Sequence, residues 1–134
     1  MAKEIHELHT PVALEYAIEM LGPALKGAAP IMVDGTLGLG GHTEAFLERF
    51  ENLTVIGIDR DERALELAAA RLARFGARVK FAHAIYSEIL EVLEDNDIAG
   101  ADAILLDLGV SSMASAIQLR FVETRSLGAD LYVR

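Results

Sequence analysis

The run Val33-Asp34-Gly35-Thr36-Leu37-Gly38-Leu39-Gly40-Gly41-His42-Thr43 gathers residues suited to holding a polar ligand through the main chain. Glycine lets the backbone turn at positive φ or touch a ligand, and the N–H groups that open the following helix point at whatever sits there. From Gly38 the spacing reads G-x-G-G-H-T, with Thr43 where a dinucleotide fingerprint has its third glycine. A second acid strengthens the reading. Ile56-Gly57-Ile58-Asp59 closes a short apolar run about 20 residues beyond the glycines, where a βαβ unit presents a carboxylate to ribose hydroxyls. Loop and acid together point to an adenosine-type ligand. A third group, Asp107-Leu108-Gly109-Val110-Ser111-Ser112, sets an acid, a glycine and two hydroxyls after another apolar run. Asp34, Asp59 and Asp107 suit a cationic ligand better than a pyrophosphate, which they would repel. Each group has a plainer alternative: a tight turn for the glycine and Asp107 segments, and helix capping for Asp59, a task for which Asp61 is better placed. Tyr86 is suited either to an adenine face or to the core. His83 reads as structural, and His6 and His9 have no carboxylate or cysteine partner at metal-ligand spacing, so no metal is expected.

Alternating strand-like and helix-like periods must position these groups. Thr10-Pro11 offers a cap and an N1 proline for a helix whose apolar face is Leu14, Ala17, Ile18 and Leu21. Strands are predicted over 31–33, 53–58, 78–82 and 103–106. The helix after the glycines carries Ala45, Phe46 and Arg49 and breaks at Asn52. Asp61 caps a helix with Leu65, Ala68, Ala69 and Leu72 on one face, stopped by Gly76, and Ser87 caps another bearing Leu90 and Leu93. Ala103-Ile104-Leu105-Leu106 is apolar on both faces and reads as a buried strand. The order αβαβαβαβ calls for an α/β fold with a parallel sheet, right-handed crossovers and the ligand at the strands' carboxyl ends.

The 134 residues, 52% hydrophobic, fit one compact domain. Without cysteine there is no disulfide framework and no thiol nucleophile, which agrees with a reducing compartment, and cytoplasm is the expectation. The first residues carry acids and no apolar signal core, and membrane association is not expected. A net charge of −9 is opposite to the basic footprint of a chain that grips nucleic acid, so any such contact is expected to be local or to come from elsewhere.

His9-Thr10-Pro11-Val12, Val33-Asp34-Gly35-Thr36 with Gly40-Gly41-His42, Ile58-Asp59-Arg60-Asp61, and Leu105-Leu106-Asp107-Leu108-Gly109-Val110-Ser111-Ser112 resemble the bacterial small-subunit (16S) ribosomal RNA cytosine-N4 methyltransferase family. The resemblance runs from His9 to Met113. It implies a Rossmann-like class I S-adenosylmethionine-dependent methyltransferase fold, incomplete here, with strands 3-2-1-4 of the parallel sheet. It implies S-adenosyl-L-methionine as cofactor and a ribosomal RNA cytidine as substrate. Carried over by motif, Gly40, Gly41 and His42 hold the methionine part, Asp59 the ribose, and Asp107 the region of the adenine and methyl donor. Asp34, Gly38 and Tyr86 complete the cofactor set, with Tyr86 standing where the family has phenylalanine. Asp107 and Ser111 are the catalytic candidates. The cytosine amine is a poor nucleophile until acceptors hold its N–H groups, and Asp107 with the carbonyls of 108–110 would serve. A side chain at Gly40 is expected to fill ligand space.

Beyond Met113 the pattern departs. Ala114 stands where the family has glutamine, and the Arg-Gly-Phe and Pro-Leu-Asp-Met-Arg segments do not follow. The expected division is therefore a cofactor-binding half-domain over 1–113 and a divergent or aberrant tail over 114–134. Such a half-domain leaves the outer edge of the fourth strand either covered by the tail or open to self-association. Two alternatives differ in class: a cofactor-binding fragment without turnover, and a nicotinamide-dependent oxidoreductase half-domain, which would need the missing third glycine.

Overall fold

A computed structural model describes residues 14–106 and the backbone of residues 118–120. His6, His9, the Thr10-Pro11 cap and the segment from Asp107 to Met113 lie outside the described residues. The chain runs through helix α1 (14–21), a 3-10 turn (Gly22–Leu25), β1 (Ile31–Asp34), α2 (Gly41–Arg49), β2 (Thr54–Asp59), α3 (Glu62–Arg71), a 3-10 stretch (Ala73–Arg78), β3 (Val79–His83), a 3-10 turn (Tyr86–Glu88), α4 (Ile89–Asp95), β4 (Ala103–Leu106) and β5 (Gln118–Arg120). The sheet order is β3-β2-β1-β4-β5. The first four strands are parallel, in the expected order 3-2-1-4, and β5 is antiparallel to β4, Leu105 facing Leu119. The outer edge of β4 is thus paired with a short strand from the tail.

Alternation along each strand divides the core in two. Met32, Val55, Ala103 and Leu105 meet α1, α2 and α3 through Leu21, Phe46, Leu47, Leu65 and Leu72. Val33, Ile56, Ile58, Ile104 and Leu106 meet α4 through Ile89, Val92 and Leu93. Helices on both faces explain why β4 is apolar throughout, all four of its residues being buried.

Three local expectations change. Asp61 caps α3 as read, its Oδ1 accepting the Arg63 N–H at 3.0 Å, but the helix ends at Arg71. Gly76 acts later, turning the 3-10 stretch with φ +56°. Ser87 does not cap α4. The Glu88 carboxylate instead reaches back to the Ile85 N–H at 2.9 Å, and the helix starts at Ile89, so Ile89, Val92 and Leu93 form the buried face and Leu90 is exposed.

Arg78, expected to begin the third strand, lies just ahead of it and turns its guanidinium toward the end of α2. Nη2 donates to the carbonyls of Leu47 (2.8 Å) and Phe50 (2.6 Å), and Nε donates to that of Leu53 (3.1 Å). A helix leaves its last carbonyls unsatisfied, and a cation there answers both the hydrogen bonds and the dipole. Arg78→Ala is expected to cost about 1.5–3 kcal/mol, the range for hydrogen bonds to a charged group. Urea unfolding measures it: the midpoint should fall with the slope unchanged, and a loss under about 0.5 kcal/mol would mean that water replaces the guanidinium.

Candidate functional site

The glycine loop follows β1 and is stitched to its neighbours by its own backbone. The Gly35 N–H donates to the Leu105 carbonyl at 2.9 Å, continuing the β1–β4 ladder, and the Leu37 N–H donates to the Ile58 carbonyl at 2.9 Å. The Gly38 N–H donates to Asp59 Oδ2 at 2.8 Å. The loop then closes on itself through Gly40 N–H to Leu37 carbonyl at 3.0 Å, and α2 begins. Two glycines need their positive φ: Gly38 at +56° and Gly40 at +88°.

Asp34 is 2% exposed at the end of β1. Its Oδ2 accepts the Thr43 hydroxyl at 2.7 Å and its Oδ1 accepts the Thr36 N–H at 3.2 Å. One carboxylate therefore ties the end of the strand, the start of the loop and the first turn of α2 together. Asp59, at the end of β2, is half-buried. Its Oδ1 accepts the Asp61 N–H at 2.9 Å while Oδ2 holds Gly38, so the carboxylate is oriented from both sides by backbone donors. Each carboxylate oxygen has a further lone pair, which fits it to receive ligand hydroxyls as well.

Gly38 has open space where a side chain would begin. Gly40 does not: a Cβ there would meet Leu72 Cδ1 at 3.0 Å and Ala68 Cβ at 3.5 Å, both on the α3 side. Its left-handed φ and the approach of α3 give a packing reason for glycine here beside the expected ligand one. Gly41 and His42 open α2 beside Arg71, whose Nη1 lies 3.7 Å from where a Cβ at position 41 would stand and whose Nε and Nη2 donate to Glu44 Oε1 at 3.2 and 3.0 Å. His42 Nε2 is buried and has no hydrogen-bond partner among the described residues. Such an atom calls for a partner that a bound polar ligand or water supplies. His42 also lines a cavity of about 460 Å³ with Gly41, Arg71, Leu14 and Ile18.

Tyr86 lies across the end of β1, its Cβ 3.3 Å from where a Gly35 Cβ would stand, and is 42% exposed, leaving its ring available. His83 is structural in the sense expected, its Nε2 lying 2.9 Å from the Arg60 carbonyl oxygen. The structure therefore brings Asp59 and Gly38 into direct contact, sets Asp34 behind the loop, and gathers Gly40, Gly41 and His42 at the start of α2. Asp107 and Ser111 lie outside the described residues.

Two residues of the loop's support were not singled out from sequence: Leu37, 4% exposed, and Gly57, whose Cβ would lie 2.8 Å from Leu37 Cδ2. A glycine inside the apolar strand Ile56-Gly57-Ile58 is itself the signal of a close approach. Among the described residues no group of three or more histidines, aspartates or glutamates could hold a metal ion, and no helix is long and apolar enough to cross a membrane.

The sequence profile of the MraW methylase family matches residues 6–121, past the point at Met113 where the motifs end. The chain is 51% identical over 116 residues to ribosomal RNA small subunit methyltransferase H of Pseudarthrobacter chlorophenolicus, covering 83% of this chain and 35% of that protein. It is 48% identical over 114 residues to the protein of the same name from Leifsonia xyli, covering 84% and 35%. The chain thus spans about a third of the length of these curated relatives. Among solved structures, that of a putative rRNA-methylase from Clostridium thermocellum superposes with a TM-score of 0.51 at 23% identity, covering 75% of this chain and 55% of that one, a likeness of fold.

Proposed function

This chain belongs to the MraW methylase family, and on that premise we propose that it holds S-adenosyl-L-methionine at the carboxyl ends of β1, β2 and β3 and serves methyl transfer to the N4 amine of a cytidine in small-subunit ribosomal RNA. The observation that carries this reading is the Gly38–Asp59 contact at 2.8 Å, which makes the glycine loop and the acid one unit at the sheet end. The orphaned His42 Nε2 and the open space over Gly38 fit a ligand with polar groups in the loop. S-adenosylmethionine supplies a methyl group on a sulfonium, already a strong leaving group.

The residues of this chain have binding and positioning tasks. Asp59 receives the ribose hydroxyls, Tyr86 stacks on the adenine, and Gly38, Gly40, Gly41 and His42 cradle the methionine part, with Asp34 holding the loop in shape. The acids favour a cationic cofactor over the pyrophosphate of a dinucleotide. Asp107, with Ser111 four residues further on, accepts hydrogen bonds from the target amine so that its nitrogen lone pair can turn toward the methyl group. In this reading 1–113 is the cofactor half-domain and 114–134 a divergent tail.

Calorimetric titration with S-adenosylhomocysteine and with NAD tests the cofactor. Binding of the first alone is expected, and equal affinity for both, or none for the first, would overturn the proposal. A methyl-transfer assay on small-subunit particles lacking the modification tests the reaction. With a net charge of −9 and little to neutralise phosphates, the 134 residues alone are expected to turn over far more slowly than a protein carrying the relatives' full length. Equal turnover by the two would mean that residues 114–134 supply target recognition. No turnover by either would sink the assigned reaction.

A further inference from the structure

We propose that Leu37 and Gly57 form a plug and notch that sets the depth of the glycine loop on β2, making both positioning residues for the cofactor site. The inference rests on the reading that this loop and Asp59 hold the cofactor. Leu37 anchors the loop on β2 through main chain and side chain together. Its N–H donates to the Ile58 carbonyl at 2.9 Å, its carbonyl accepts the Gly40 N–H at 3.0 Å, and its side chain is 4% exposed. That side chain lies where any residue but glycine at position 57 would put its Cβ, at 2.8 Å from Cδ2, 2.9 Å from Cδ1 and 3.3 Å from Cγ.

The geometry couples this contact to the site. Gly57 and Asp59 are two apart on β2 and project from the same face, so whatever seats over Gly57 arrives beside Asp59. The residue after Leu37 is Gly38, whose N–H meets Asp59 Oδ2 at 2.8 Å. Seating Leu37 in the notch therefore brings Gly38 within reach of the carboxylate. A Cβ at position 57 would displace the Leu37 side chain, and with the first core close-packed around it the displacement is expected to pass to the loop backbone.

The test compares the unaltered chain with Gly57→Ala, Leu37→Ala and the double variant, using two readouts. One is the Kd for S-adenosylhomocysteine. The other is the hydrogen-exchange rate of the Gly38 amide, which needs no ligand. Gly57→Ala is expected to raise Kd about tenfold or more and to speed Gly38 exchange. Leu37→Ala, which adds no atom, should move both readouts in the same direction even if Gly57→Ala does not fold. The double variant should bind more tightly than Gly57→Ala and recover Gly38 protection, because the new methyl occupies space that Leu37 has vacated. A fall in melting temperature with Kd and Gly38 exchange unchanged would overturn the proposal and leave only packing. If the unaltered chain does not bind S-adenosylhomocysteine, the cofactor reading fails, and Gly38 exchange alone decides whether the plug sets the loop.

Discussion

Asp59→Ala is expected to weaken S-adenosylhomocysteine binding by about 2–3 kcal/mol, roughly 30- to 150-fold in Kd. Under the proposed reading the carboxylate receives two ribose hydroxyls. The structure adds a second cost. The same group accepts the Gly38 N–H at 2.8 Å and the Asp61 N–H at 2.9 Å, so its loss also removes one of the loop's ties to β2 and loosens the lead into α3. Asp59→Asn retains one carbonyl oxygen and should fall between the two. Isothermal titration reads the effect directly. Unchanged affinity for both variants would show that the acid neither meets the ligand nor sets the loop that holds it.

Gly35→Val is expected to cause the largest loss of stability among single changes in the loop. A Cβ at position 35 would stand 2.4 Å from Leu106 Cδ2, 3.3 Å from Tyr86 Cβ and 3.6 Å from Ile89 Cδ1. Leu106 and Ile89 are each 1% exposed and lie in the core between the sheet and α4, so a side chain at position 35 must displace buried neighbours. Overpacking of this kind costs about 1–3 kcal/mol for a methyl and more for a branched side chain. Gly35→Ala should thus sit in that range and Gly35→Val beyond it, read from chemical denaturation. Adding Leu106→Ala to Gly35→Ala should return part of the loss if the clash is the cause. Full stability of Gly35→Val would mean that the chain end of β1 yields more easily than its packing indicates.

Period and spacing were enough to read the four strands of a parallel sheet and the sheet end that carries the glycine loop and Asp59, while their order came from the family resemblance. They sufficed because an apolar run bounded by glycine and an acid is local information, and because right-handed crossovers leave few ways to arrange such units. The Asp61 cap was legible for the same reason, since the carboxylate meets an N–H two residues on. What sequence did not determine lies between segments far apart in the chain. Arg78 looked like the first residue of a strand, and only the folded chain brings it to the carbonyls of Leu47, Phe50 and Leu53. Gly40 reads as ligand space, and the tertiary structure adds that it also packs against Leu72 and Ala68. Gly35 looked like part of the cradle, and its smallness answers to Leu106. The tail departs from the family's motifs, yet its backbone at 118–120 pairs with β4. A glycine in a sequence says that something comes close or that the backbone bends. Whether the neighbour is a ligand, a helix or a leucine depends on which surfaces meet, and packing alone decides that.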